Sequence, residues 1–278
     1  MYRVGKVLNH NSVIAIWSED NQEYLMMGKG VGFGKKVSQQ IEKRPGDTVY
    51  SLKEVTERGD AKSILKSVAP ICLELADIVL NEAEKEFGTI DRTILFPMAD
   101  HIEYALKRIQ NQEQISNPLT DDIKVLFYKE YKVAECLKPL IMERMNIQID
   151  EHEVGYIALH IHSAIDAEKV SQSMQMARAV RECVSLVEQE TGKKIDVSTL
   201  AYNRLMNHVR YMVARVIKGE KLKVNMNDYM EVKYPKAFDT ARKICDEIGQ
   251  SLKCHFDEIE IGYLAMHIER SAEDEMKN

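Results

Sequence analysis

The chain has 278 residues, 45% hydrophobic and 29% charged, with a formal net charge of −6. These are the proportions of ordinary globular domains, with room for two or three of them. No apolar run approaches the ~20 residues of a membrane span and the N-terminal MYRVGKVLNH lacks the apolar core of a signal peptide, so membrane insertion and secretion are not expected.

The charge is uneven. Residues 1–53 carry eight Lys/Arg against five Asp/Glu, a net of +3, which leaves −9 on the rest. Five of the eight basic residues fall between Lys29 and Arg44, so a polyanion would be gripped at this head. Tyr2–Leu8, Ser12–Trp17, Glu23–Met27 and Thr48–Leu52 are rich in β-branched and aromatic residues and are separated by turn signals, which predicts short strands. A sheet of about fifty residues buries only ~60% of its unfolded surface. With no disulfide or metal cluster to compensate, pairing with a second copy is expected.

Within the head, Met27-Gly28-Lys29-Gly30-Val31-Gly32-Phe33-Gly34-Lys35-Lys36 is not a phosphate loop. GxGxxG would need glycine where Phe33 stands, and a Walker A ending at Gly34-Lys35 would need glycine at position 29. By itself the segment reads as a Gly-rich hairpin. Glycines that permit close backbone approach, a stacking ring at Phe33 and lysines at 29, 35 and 36 are together suited to RNA.

From about residue 58 the period becomes helical: Ile64, Val68, Ile71, Leu75 and Ile78 predict one apolar stripe on one helix. Further on, the chain repeats itself. DEHEVGYIALHI at 150–161 returns as DEIEIGYLAMHI at 257–268, with eight of twelve positions identical at an offset of 107 residues. Asp100-His101-Ile102-Glu103-Tyr104 and Asn207-His208-Val209-Arg210-Tyr211 share that offset. The chain therefore holds a duplicated module, each copy with two histidines 59 residues apart. Ala167–Ser173 is expected to link the copies.

Asp150 with Glu153, and Asp257 with Glu260, predict a capping box at the start of a helix in each copy. At ~100° per residue, Val154, Ile157, Ala158, Ile161 and Ile165 share a face, with His160 roughly 120° from its centre. His267 takes the same place beside Ile261, Leu264, Ala265 and Ile268, while His101 and His208 border their own stripes. None of the four is expected in a core. A lone histidine in such a position is most simply a surface group. Two pairs kept in register within diverged surroundings favour a function, and imidazole can accept a phosphoryl group, titrate or bind metal. Metal is the weaker option: His162 has no counterpart at Glu269, and His152-Glu153 fails HExxH because Tyr156 stands at the second ligand position. The five cysteines (Cys72, Cys136, Cys183, Cys245 and Cys254) are scattered without CxxC and are expected to be reduced thiols in a cytoplasmic protein.

Lys6-Val7-Leu8-Asn9-His10-Asn11 followed by MGKGVGFGKK resembles the co-antiterminator RNA-binding domain of the BglG/LicT/SacY transcriptional antiterminators. The duplicated GYxAxHI modules resemble their PTS-regulation domains, so the likeness spans essentially the whole chain. Phe33-Gly34-Lys35-Lys36 and His160-Ile161-His162-Ser163-Ala164 are most similar to the glucose-operon branch. The resemblance implies a small antiparallel β-sheet RNA-binding domain at 1–57, dimeric, followed by two all-α helical-bundle regulatory domains at 58–168 and 169–278. It implies a non-enzymatic antiterminator that binds a leader mRNA hairpin and prevents termination upstream of sugar-PTS genes. RNA contacts would be Asn11, Gly28, Lys29 and Phe33, supported by Lys6, Asn9 and Gly30. Phosphorylation would fall on His101, His160, His208 and His267, from the phosphocarrier HPr and a sugar-specific enzyme II; no cofactor is implied. His10 replaces the middle residue of a common Asn-Asn-Asn run. Lys29 replaces the usual Arg and lacks its bidentate fork, which favours a phosphate contact there. The alternative is a histidine phosphorelay whose head only dimerises, without RNA.

Overall fold

The computed structural model describes residues 1–53, 55–56, 59–113, 115–166, 169–192, 194–195 and 199–274. Residues 1–120 with 127–170 form one compact unit, and 121–126 with 171–278 form another.

The first unit opens with strands Tyr2–Asn9 (β1), Ser12–Trp17 (β2), Glu23–Met27 (β3), Gln40–Ile41 (β4) and Thr48–Ser51 (β5). They make an antiparallel sheet ordered β4-β1-β2-β3-β5. The four predicted strands are present within a residue; β4 was missed because two residues carry no readable alternation. Alternation places Val4, Val13, Ala15 and Met26 on one face, where Val31 and Ile41 cover them. The small core is also supplemented within the chain. Tyr50 packs edge-on to Phe96, and its hydroxyl meets Asp77 at 2.5 Å and Arg92 at 2.6 Å. Part of the deficit from which a partner copy was expected is thus filled by the helices that follow.

Those helices are Ala61–Ser67 (α1), Pro70–Phe87 (α2), Leu95–Gln110 (α3), Thr120–Leu126 (α4, which from residue 121 belongs to the second unit), Tyr128–Ala134 (α5), Leu137–Met145 (α6) and Glu151–Asp166 (α7). The single predicted helix through Ile64 and Ile78 is two helices. Val68 and Ala69 are extended, with ψ of 132° and 139°, and Pro70 opens α2. A residue before proline is pushed out of the α region, and proline suits a first turn whose amide needs no partner. The face of α2 is accordingly rotated: Cys72, Leu75, Ala76, Val79 and Leu80 are buried, whereas Ile71 and Ile78 are half-buried.

The second unit consists chiefly of Val170–Thr191 (α8), Leu200–Lys218 (α9), Asn227–Lys233 (α10), Pro235–Leu252 (α11) and Ile259–Asp274 (α12). Its core holds Tyr202, Leu205, Val209, Ile244, Leu264 and Ile268. The Tyr202 hydroxyl reaches Asp122, whose carboxyl is pushed up by burial. The expected linker is shorter than predicted, because α8 begins at Val170; residues 167 and 168 lie outside the described residues. All five cysteines are free thiols, and no helix among the described residues is long and apolar enough to cross a membrane.

Candidate RNA-binding face and histidine pairs

The turn between β1 and β2 staples the glycine-rich loop to the sheet. Gly28 N–H donates to Asn11 O at 2.9 Å, Gly32 N–H to His10 O at 2.9 Å, and Gly30 N–H to Asn11 Oδ1 at 2.8 Å. The loop is a run of tight turns, closed by Val31 to Gly28, Phe33 to Gly30 and Lys35 to Gly32, rather than a strand hairpin. Gly30 has φ of +70°, and a Cβ on Gly28 would lie 1.9 Å from Asp47 Oδ1, so both positions require glycine. Asp47 is itself fixed by Arg44, which also donates to the Lys29 carbonyl at 2.9 Å.

Asn9, Asn11, Gly28, Lys29, Gly30 and Phe33 are thereby brought to one end of the sheet. Phe33 is 68% exposed with its ring edge-on to His10, and Lys29 is exposed. Lys6 stands apart, along a cleft it shares with Ile14, Leu52, Lys62 and Lys66. The amide oxygens of Asn9 and Asn11 are spent inside the head, on Asn11 N–H, Ser12 Oγ and Gly30 N–H. Their nitrogens both donate to Glu74 of α2, Asn9 Nδ2 at 2.5 Å and Asn11 Nδ2 at 3.3 Å. Arg144 lies 3.4 Å from the same carboxylate, which is 13% exposed. Sequence reasoning missed Glu74, since nothing local marks one carboxylate on an amphipathic helix.

The histidines do pair. The rings of His101 and His160 are 5.5 Å apart, and those of His208 and His267 are 4.5 Å apart and stacked. Tyr156 lies 5.3 Å from His101, and Tyr263, its repeat counterpart, 6.3 Å from His208. The expectation that none is buried fails for three of the four. His101, His160 and His208 are 6%, 3% and 8% exposed, while His267 is half-buried. A single-stripe reading assumes one buried face. Here α7 is packed by α2, α3, α5 and the turn at Arg92–Ile94, so the off-stripe side is covered too.

The capping boxes also depart from expectation. Asp150 Oδ1 accepts from Glu153 N–H at 3.0 Å, yet the Glu153 side chain does not turn back to the cap. It takes His101 Nε2 at 3.1 Å and the Arg108 guanidinium. Burial opposes its charge, but His101 and Arg108 outweigh that and hold the carboxyl below its ordinary value. In the second copy Arg215 grips both oxygens of Glu260, at 2.6 and 2.7 Å, and His208 Nε2 is buried without a partner. Burial, then His267 and Arg215, push His208 down to about 3; burial, then Arg270 and Arg204, also lower His267. Neutral imidazole carries a free lone pair, so both can act as nucleophiles at neutral pH. The Arg–Glu pair was missed, although Arg108 and Arg215, like Glu153 and Glu260, recur at the offset of 107. His162 differs: its Nδ1 lies 3.0 Å from Glu130 and its Nε2 3.4 Å from Asp166, a structural pairing consistent with its lack of a repeat counterpart.

Residues 76–164 and 181–271 match the family model of the PRD domain, and residues 2–58 match that of the CAT RNA binding domain. The chain belongs to the BglG/LicT family of antiterminators. Within that family it is similar to Protein GlcT of Staphylococcus epidermidis, 29% identical over 96% of this chain and 95% of that one. The GlcA/glcB genes antiterminator of Staphylococcus carnosus is 28% identical over 100% and 98%, and transcription antiterminator LicT of Bacillus subtilis 26% identical over 96% and 98%. The solved structure titled "Crystal structure of GlcT CAT-PRDI" aligns with a TM-score of 0.51 at 30% identity, over 59% of this chain and 98% of that one. The chain is thus a BglG/LicT antiterminator of the GlcT branch, an RNA-binding regulator of transcription governed by its PRD modules.

Proposed function

We propose that the head, residues 1–57, binds a hairpin in leader mRNA through Asn11, Gly28, Lys29 and Phe33, supported by Asn9 and Gly30. Lys6, on its separate cleft, is assigned a backbone contact outside this cluster. The modules at 58–168 and 169–278 accept phosphoryl groups at His101, His160, His208 and His267 from HPr and a sugar-specific enzyme II. The chain acts by binding rather than catalysis, as a cytoplasmic homodimer. One observation carries the coupling of the two activities: a carboxylate of the first module, Glu74, holds the side-chain amides of Asn9 and Asn11. A helical module that grips RNA-binding side chains has a direct means of governing them.

The test is the affinity of the intact chain for its own operon leader hairpin beside a scrambled hairpin, over a salt series. Selective binding that Phe33→Ala or Lys29→Ala weakens is the expected result. Binding that is indifferent to sequence and lost with salt would mark a merely charged surface.

A further inference from the structure

The two histidine pairs share an orientation that survives in both copies although their surroundings differ. The first histidine of each pair turns Nε2 inward: that of His101 onto Glu153 at 3.1 Å, that of His208 into a sealed interior. The second histidine turns Nδ1 inward, and Nδ1 of both His160 and His267 is buried.

Phosphoryl transfer to imidazole needs a nitrogen that the donor can approach in line and that carries a lone pair. A nitrogen sealed in the bundle cannot be approached in line by a protein-borne donor, which leaves the other ring nitrogen of each histidine. At His101 the tautomer is set as well: the Glu153 carboxylate accepts a hydrogen bond from Nε2–H, which leaves the lone pair on Nδ1.

Building on the assignment of these four histidines as phosphoryl acceptors, we propose that the acceptor atom alternates within each pair: Nδ1 on His101 and His208, Nε2 on His160 and His267. Glu153 is a positioning residue for His101. In the step at His101 the N–P bond of a phosphohistidine donor breaks, its electron pair stays on the donor nitrogen, and a new N–P bond forms at Nδ1. The Nε2 proton stays on His101, held by Glu153, and no further reactant is consumed. Each module then stores chemically distinct phosphoramidates a few ångströms apart.

The experiment uses the wild-type full-length chain, so folding of a variant is not at issue. It is phosphorylated in parallel with phospho-HPr and with potassium phosphoramidate, then digested and mapped with antibodies selective for the two phosphohistidine isomers. The expected result is the Nδ1 isomer on peptides carrying His101 and His208 and the Nε2 isomer on those carrying His160 and His267. The opposite isomer at any of the four overturns the alternation. Phosphoramidate labelling without any labelling by phospho-HPr would reject HPr as the donor and leave the isomer pattern to decide the alternation. No labelling by either would overturn both. Glu153→Ala should lower the Nδ1-to-Nε2 ratio at His101 about tenfold, the effect of one lost hydrogen bond, with His208 unchanged. Glu153→Gln, which keeps an acceptor oxygen, should restore the ratio; an unaltered ratio in Glu153→Ala would remove Glu153 from the role.

Discussion

Replacing Glu74 by alanine should tighten RNA binding by the intact chain. The carboxylate accepts from Asn9 Nδ2 at 2.5 Å and from Asn11 Nδ2 at 3.3 Å, and the two oxygens of those amides are already committed inside the head. RNA that uses these amides must first displace Glu74. A hydrogen bond to a charged group contributes about 1.5 kcal/mol net, and the longer one about half of that, roughly 2 kcal/mol together. With the carboxylate 13% exposed, little of this is screened, although Arg144 at 3.4 Å competes for it. The expected gain in affinity is about 10- to 30-fold. Glu74→Gln keeps one acceptor and loses the charge, so it should gain about threefold. The assay is fluorescence anisotropy of a labelled leader hairpin titrated with full-length protein at fixed salt. Removing any negative charge favours a polyanion slightly, so Glu82→Ala, on the same helix and paired with Lys85 instead of the head, is the control. A Glu74→Ala affinity within twofold of wild type, or one matched by Glu82→Ala, would refute the reasoning.

Gly28→Ala should abolish RNA binding and lower the stability of the head by about 1–3 kcal/mol, because its Cβ would lie 1.9 Å from Asp47 Oδ1; thermal unfolding and the hairpin titration read both effects. His208 imposes a pH dependence: its folded value of about 3 lies below the ordinary ~6.5 of the unfolded imidazole. The unfolded chain binds more protons in that window, so this contribution is complete above about pH 6.5 and is lost as pH falls toward 3, by at most about 5 kcal/mol. Denaturant unfolding of wild type and His208→Gln across pH 3–7 should show a steeper loss of stability toward acid in wild type, because the lowered His267 and Glu153 contribute to the slope of both proteins. Arg215→Met should destabilise the second unit by about 3–5 kcal/mol by leaving Glu260 buried and unpaired. The double change with Glu260→Leu should recover most of that loss, as calorimetry would show.

Sequence alone determined the architecture, because its signals were periodic or repeated. Alternation in Tyr2–Leu8 and Ser12–Trp17 places a strand whatever surrounds it, and a twelve-residue repeat at an offset of 107 declares a duplicated module before any contact is known. It also singled out the four histidines, by their recurrence at one offset, and the cluster from Asn9 to Phe33, by its resemblance to a family motif, since both are patterns of the chain itself. What the tertiary structure decided depends on the second partner of each group. His160 is sealed because α7 is packed on several sides, which no single helix reveals. Glu153 looked like a capping residue until α3 brought His101 and Arg108 to it from 52 and 45 residues away. Glu74 had no signal at all until the fold set it against Asn9 and Asn11, 65 and 63 residues earlier in the chain. Local chemistry chooses which groups stand on a surface, but the low-dielectric contacts that set a tautomer, lower a pKa or occupy an amide come from chain segments that only folding brings within hydrogen-bonding distance.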